Sequence, residues 1–255
     1  MPVWDSANFL VEVSVNPERI ADRRGYPFTV PAIGGLDTLR FTQPVTFFIG
    51  ENGAGKSTLL EAIAIASGLN AEGGSRNFRF STRKSHSSLH SRLRLTRSAR
   101  RARDRYFLRA ESYFNLATEI ENLDREDMGP PIIDSYGGKS LHEQSHGESF
   151  FALFMNRFRG DGFYILDEPE AALSPSRQLA FLSRLHELVG EGSQFLIATH
   201  SPILMAYPRA DIFMLEDGPP YLIDYRDTEH YTVTRAFLTR TDSMLAQILG
   251  DGEDG

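Results

Sequence analysis

VTFFIGENGAGKST, residues 45–58, is the stretch from which the rest of the chain is read. Its first five residues form a short apolar run, the pattern of a buried strand. The run ends at Gly50 in a glycine-rich turn. Lys56, Ser57 and Thr58 then open an apolar segment, STLLEAIAIASGL (57–69), which reads as a helix closed by Gly68. Gly50-Glu51-Asn52-Gly53-Ala54-Gly55-Lys56-Ser57 fits G-x-x-x-x-G-K-S/T at every position, with a strand before it and a helix after it. Glycines let a backbone curl until several N–H groups point inward at phosphate oxygens. The helix that follows adds the positive end of its dipole. Lys56 is placed to neutralise β- and γ-phosphates and Ser57 to ligate Mg2+. Glu51, Asn52, Gly53, Ala54 and Thr58 complete the candidate nucleotide-binding set. The plainer alternative is a chance glycine turn ahead of a helix.

Further along, FYILDEPE (163–170) brings Asp167 to the end of another apolar strand. An acid there can hold Mg2+ through its water shell. Glu168, the next residue, is placed to act as general base on an attacking water. Two acids capping a strand-to-loop turn would be the structural alternative. QFLIATH (194–200) is a third buried strand, and ATHSP sets His200 at its end. An imidazole there can donate to a γ-phosphate, or it is a structural strand-end histidine. Between them SPSRQLAFLSRLHELVG (174–190) reads as a helix, with Ser174 at the cap, Pro175 in the first turn and Gly190 at the end. Ser145-His146-Gly147-Glu148-Ser149 opens a strongly apolar helix, ESFFALFMNRF (148–158), and Ser145 and Glu148 have capping-box spacing. A capped helix N-terminus is also an anion site; here it could face the γ-phosphate of a nucleotide held by a second subunit.

The remaining chain is read more coarsely. Residues 8–15 are a strand, and the turn-rich 23–36 is expected to continue a small antiparallel sheet. Residues 70–105 look irregular. RYFLRAESYF (105–114) reads as a strand, residues 115–127 as a helix and 127–140 as a loop. IFMLED and PYLIDY form a late hairpin around Gly218-Pro219, with a helical tail from about Thr232. Apolar strands alternating with helices imply an α/β fold, a mainly parallel sheet covered on both faces. One domain over 1–255 is expected, with an insert at about 70–160.

Composition narrows the setting. The 255 residues include no cysteine, which excludes disulfides and thiolate metal sites. The start lacks a signal-peptide pattern, and no apolar run approaches the ~20 residues of a bilayer span. A soluble, cytoplasmic chain with no membrane insertion is expected. The net charge is −7, yet Arg76–Arg109 holds twelve Lys/Arg against Asp104 alone. That window is +11 and the remainder −18. Such a segment can bind nucleic acid, with Phe78, Phe80 or Tyr106 stacking on bases; an acidic protein partner or a solvated loop are the alternatives.

The order phosphate loop, SHGES at a helix head, LDEP, ALSP, then a histidine resembles the ABC-type ATPase superfamily over about residues 40–215. SHGES stands where that superfamily usually has LSGGQ. The resemblance implies a P-loop NTPase head binding ATP and Mg2+ between two copies arranged head to tail. Each site would combine Lys56, Asp167, Glu168 and His200 of one chain with Ser145 and Gly147 of the other, a homodimer in the ATP state. DEPEAALSP and ATHSP look like the non-transporter branch: DNA-repair and chromosome ATPases, overcoming-lysogenization-defect ATPases and small bacterial "AAA family ATPases". Two features depart from the pattern. No glutamine lies between Ser57 and Gln144, so Arg109 or Glu111 takes the place of the glutamine that senses Mg2+. For the aromatic that stacks on adenine, Tyr26 and Phe28 are candidates, with core packing as the alternative for each. The 87 residues between Ser57 and Ser145 show no sustained heptads, so no coiled-coil arm is expected. The span after His200 is short for a nuclease, so an effector protein is expected in trans. The implied function is Mg2+-dependent ATP hydrolysis coupled to dimer closure, in repair or phage defence. An ABC-transporter ATP-binding subunit and an ATP-dependent switch are the alternatives.

Overall fold

The computed structural model describes residues 6–20, 22–70, 74–75, 87–109 and 146–250. Its elements in chain order are β1 (Leu10–Val15), α1 (Pro31–Gly34), β2 (Thr38–Arg40), β3 (Val45–Ile49), α2 (Lys56–Ala66), β4 (Gly74–Ser75), β5 (Leu93–Arg97) and β6 (Asp104–Arg109). Then follow α3 (His146–Arg157), β7 (Gly162–Asp167), α4 (Pro175–Gly190), β8 (Gln194–Ala198), α5 (Pro202–Met205), β9 (Ala210–Met214), β10 (Tyr221–Leu222), α6 (Glu229–Thr239) and α7 (Thr241–Leu249).

A seven-stranded sheet has the order β10-β9-β3-β8-β7-β6-β4. From β9 to β6 every neighbouring pair is parallel, and β10 and β4 close the two edges antiparallel. The expected late hairpin is thus β9–β10. Strands β3, β7 and β8 are buried along their whole length, as a sheet covered on both faces requires. The pleat divides them. Phe47, Tyr164, Leu166, Phe195 and Ile197 face a core closed by α3, α4 and α5, where Phe154 stacks on Phe181 at 4.0 Å. Phe48, Phe163, Ile165 and Leu196 face α2 and a second, three-stranded antiparallel sheet of order β2-β1-β5.

The architecture is the expected α/β one, but three local readings change. Residues 23–36 do not extend the small sheet; they form turns and α1. Pro27 and Pro31 have no N–H to give a ladder, and the neighbours of β1 are β2 and β5 instead. β5 lies inside the stretch that reads as irregular. Helix α4 starts after the Ser174 cap and ends at Gly190, as expected, with left-handed Gly192 (φ 85°) just beyond it. Helix α6 starts at Glu229, where Thr228 caps it by accepting from the Tyr231 N–H at 3.3 Å. The expected helix over 115–127 and loop over 127–140 lie outside the described residues, as do residues 110–114 of the expected strand. Among the described residues no helix is long and apolar enough to cross a membrane.

One close approach fixes the phosphate loop to the sheet. Gly50 has φ +141°, and a Cβ there would stand 2.0 Å from the Leu215 carbonyl oxygen. Gly50→Ala is therefore expected to lower stability by about 1–3 kcal/mol. Urea unfolding should show a lower midpoint at unchanged slope; an unchanged midpoint would mean that the loop does not press on Leu215.

Candidate nucleotide site

The loop from Gly50 to Gly55 leaves β3 and turns through left-handed backbone at Gly53 (φ 87°) and Gly55 (φ 100°), conformations that glycine adopts without penalty. Lys56 opens α2, and its buried ammonium donates to the carbonyls of Gly50 at 2.7 Å and Glu51 at 2.9 Å. Burial pushes its pKa below that of an ordinary lysine, while the carboxylates of Glu168, Asp167 and Glu170 oppose the shift. The ammonium thus braces the loop from behind.

Ser57 Oγ donates to Asp167 Oδ1 at 3.1 Å. The hydroxyl and the carboxylate expected to hold a metal are therefore neighbours, although 110 residues separate them in sequence. Among the described residues no group of three or more His, Cys, Asp or Glu is arranged to hold a metal ion. The protein offers two hard oxygen donors here, a fit for Mg2+ only if nucleotide phosphates and waters complete the shell.

Beyond Asp167 the chain turns sharply. Glu168 takes a left-handed conformation, φ 52°, and its N–H donates to the Ala198 carbonyl at 3.0 Å. Its carboxylate stands half-exposed, with Oε1 3.8 Å from His200 Nε2. Glu170 Oε1 accepts the His200 backbone N–H at 2.5 Å, which ties the turn after β7 to the turn after β8. Burial raises the Glu170 pKa, against the lowering effect of that hydrogen bond. Burial lowers the His200 pKa, and the Lys56 charge lowers it further. These effects, opposed by the Glu168 carboxylate, favour the neutral ring, in which one nitrogen is a donor and the other an acceptor.

Of these groups His200 lines a cavity of about 850 Å³, whose wall also includes the loop from Gly50 to Ala54 and Glu216, Asp217, Glu229 and His230. The volume suits a nucleotide-sized ligand. The second histidine, His230 in the first turn of α6, was not singled out from the sequence. Its Nε2 lies 3.3 Å from His200 Nδ1, and no local pattern marks a residue brought in by tertiary packing.

Other expected site residues divide. Arg109 ends β6 in register with Asp167 on β7. Its Nη1 is 2.9 Å from Glu61 Oε2 and its Nε 3.5 Å from Asp167 Oδ2. It thus stands beside the proposed metal carboxylate; Glu111 lies outside the described residues. Phe28 is packed in the core and unavailable to a base. Tyr26 is 61% exposed, and its hydroxyl lies 3.1 Å from Thr58 Oγ1. Ser145 lies outside the described residues. Gly147 is described in backbone only, in the first turn of α3.

The basic segment looks different once its arginines have partners. Arg97 and Arg105 donate to the carbonyls of Ala66 and Ser67, where α2 ends, a favourable place for positive charge. Arg100 pairs with Asp161 at 2.9 Å and lies over the Phe9 ring, and Arg103 approaches the same carboxylate at 3.5 Å. Arg92 donates to the Arg19 carbonyl. Much of the +11 window therefore holds the fold together. Arg94, Arg97, Arg101 and Arg103 all stand exposed, Arg97 and Arg103 alongside the contacts just given and Arg94 and Arg101 without one of them, and residues 76–86 lie outside the described set.

Two family models match the chain: one described as "AAA domain" over residues 32–128, the other as "AAA domain, putative AbiEii toxin, Type IV TA system" over 132–206. No curated protein matches. Among solved structures, the chain is similar to an ATP-binding subunit of an ABC transporter (18% identity, 94% of this chain and 99% of that one, TM-score 0.45). It is also similar to the SMC head domain from Thermotoga maritima (17% identity, 84% and 98%, TM-score 0.43). A third is cbiO1 from Clostridium perfringens, part of the ABC transporter complex cbiONQ (17% identity, 91% and 95%, TM-score 0.46). Each family model spans less than half of the chain; the first takes in the Gly50–Ser57 loop and the second takes in Asp167 and His200.

Arg109→Ala removes the charged partner of Glu61 and the guanidinium beside Asp167. A stability loss of about 1–3 kcal/mol is expected, read from urea unfolding. No loss would place Arg109 outside the structural framework of the site.

Proposed function

We propose that the chain is an ABC-type ATPase that binds ATP with Mg2+ and hydrolyses it between two copies arranged head to tail. The observation that carries this reading is the convergence of Lys56, Ser57, Asp167, Glu168 and His200 at the carboxyl ends of β3, β7 and β8. Lys56 neutralises phosphate oxygens as the loop N–H groups cradle them. Ser57 and Asp167 would hold Mg2+, which when bound offsets charge on the β- and γ-phosphates. Glu168 takes a proton from the attacking water, and its exposure leaves room for that water. His200 donates to an oxygen of the transferring phosphoryl group. Ser145 and Gly147 of the neighbouring copy close the site.

The process served is nucleic-acid-linked, within the non-transporter branch and with an effector in trans. The DEPE and ATHSP wording and the exposed Arg94 and Arg101 support this reading. Arg97, Arg100 and Arg103 support it less than the sequence suggested, because the fold uses them.

Glu168→Gln is expected to bind ATP with wild-type affinity and lose turnover by about 10²–10⁴-fold, measured as phosphate release against nucleotide binding. Unchanged turnover would move the base elsewhere. In the same trapped background with ATP and Mg2+, replacing both Arg94 and Arg101 with Ala should flatten the salt dependence of DNA binding. The log–log slope should fall by about 2 if each contacts one phosphate. Salt-insensitive binding, or none, would remove the nucleic-acid reading.

A further inference from the structure

His200 is held on both sides. Its Nε2 faces Glu168 Oε1 at 3.8 Å, and its Nδ1 faces His230 Nε2 at 3.3 Å with the rings tilted by 45°. Both rings line the cavity that the phosphate loop borders. Among the described residues neither His200 Nε2 nor His230 Nδ1 has a hydrogen-bond partner, although both atoms are buried. His230 is firmly placed. It follows the cap of α6, where the fully buried Thr228 donates to the Tyr225 carbonyl at 2.7 Å and accepts the Tyr231 N–H.

Two imidazoles that share one hydrogen bond must supply one N–H and one lone pair. Two N–H groups would collide, and two lone pairs would form no bond. Two neutral arrangements satisfy this. In one, His200 donates from Nδ1, and its Nε2 lone pair faces the Glu168 carboxylate. In the other, His230 donates from Nε2, and His200 turns its Nε2–H toward Glu168. The first sets a lone pair against an anion and the second sets a donor there, so electrostatics selects the second. It also leaves His200 with its donor directed where a phosphate oxygen would lie. Burial favours the neutral form of both rings, as does the Lys56 charge, against the opposing pulls of Glu168 on His200 and Glu229 on His230.

We propose that His230 is a positioning residue: it donates from Nε2 to His200 Nδ1 and so keeps the Nε2–H of His200 turned toward Glu168 and the γ-phosphate. This rests on the reading of His200 as a γ-phosphate donor. It makes the first turn of α6, 30 residues along the chain from His200, part of the hydrolytic apparatus.

Two substitutions separate a donor from mere packing. His230→Gln places an amide N–H near the position of Nε2, and His230→Leu fills the space with no donor. The Leu variant should lose about tenfold in kcat, the scale of one neutral hydrogen bond, with KM for ATP nearly unchanged. The Gln variant should recover most of that loss. In nucleotide-free protein with ¹⁵N-labelled histidine, assigned by comparison with His200→Gln, His200 should show a protonated Nε2 and a lone pair on Nδ1. That preference should weaken in His230→Leu and persist in His230→Gln. A wild-type spectrum with the His200 proton on Nδ1, or a Gln variant as slow as the Leu variant, overturns the proposal. The spectrum needs no nucleotide, so it decides the histidine pair even if the wild type proves unable to hydrolyse ATP. If the Leu variant does not fold, the Gln variant and the wild-type spectrum decide.

Discussion

Parallel register sets where every candidate reacting group stands. Ala198 is the register partner of Phe48 on one side and Asp167 on the other, and Asp167 is in turn the partner of Arg109. The strand ends therefore finish level, and whatever follows them meets at one edge of the sheet. After Ile49 comes the phosphate loop, after Asp167 comes Glu168, and shortly after Ala198 comes His200. A slip of one residue in any of these ladders would turn every side chain of that strand to the opposite face. The wholly buried runs of β3, β7 and β8, packed between two cores, hold the alignment.

The backbone then pays locally for the chemistry. Glu168 sits in left-handed backbone, a conformation that costs a non-glycine residue about 1–3 kcal/mol. Its N–H is tied to the Ala198 carbonyl, and Glu170 is tied to the His200 N–H. Together these bonds make the turns after β7 and β8 one unit, so the spacing between Glu168 and His200 is set by these two hydrogen bonds. The same carboxylates, with Asp167, oppose the desolvation of Lys56 and so favour its charged form.

What was legible in the sequence follows from which interactions are local. The strand–glycine turn–helix pattern carries its own geometry, and the order of apolar strands gave the parallel sheet and the late hairpin. β5 was missed because LRLTR buries only Leu93 well and turns Arg94 and Arg97 to solvent, so no apolar run marks it. The stretch over 23–36 was misread because turn residues flank sheets and short helices alike, and only its prolines argue against a ladder. The bound state of the arginines was not legible at all. Counting charges gives +11, but whether Arg100 reaches Asp161, or Arg105 the end of α2, depends on the folded chain. His230 and the Glu61–Arg109 pair belong to the same class of long-range contact.

The cavity wall adds a constraint of its own. Among the described residues its lining includes Glu51, Glu216, Asp217 and Glu229 but no lysine or arginine. Lys56 is buried and turned toward the carbonyls of Gly50 and Glu51. A triphosphate entering this cavity would meet carboxylates on the side formed by the C-terminal third of the chain. On the proposed reading, the charge that makes binding favourable comes from the loop N–H groups, from Lys56 and from a cation that arrives with the nucleotide. The remaining open face is then suited to the helix end of a second copy, whose N–H groups bring partial positive charge without another ionised side chain. On that same reading, a second copy would offset the carboxylates that a triphosphate meets in one chain, and nucleotide binding would then be coupled to pairing by electrostatics.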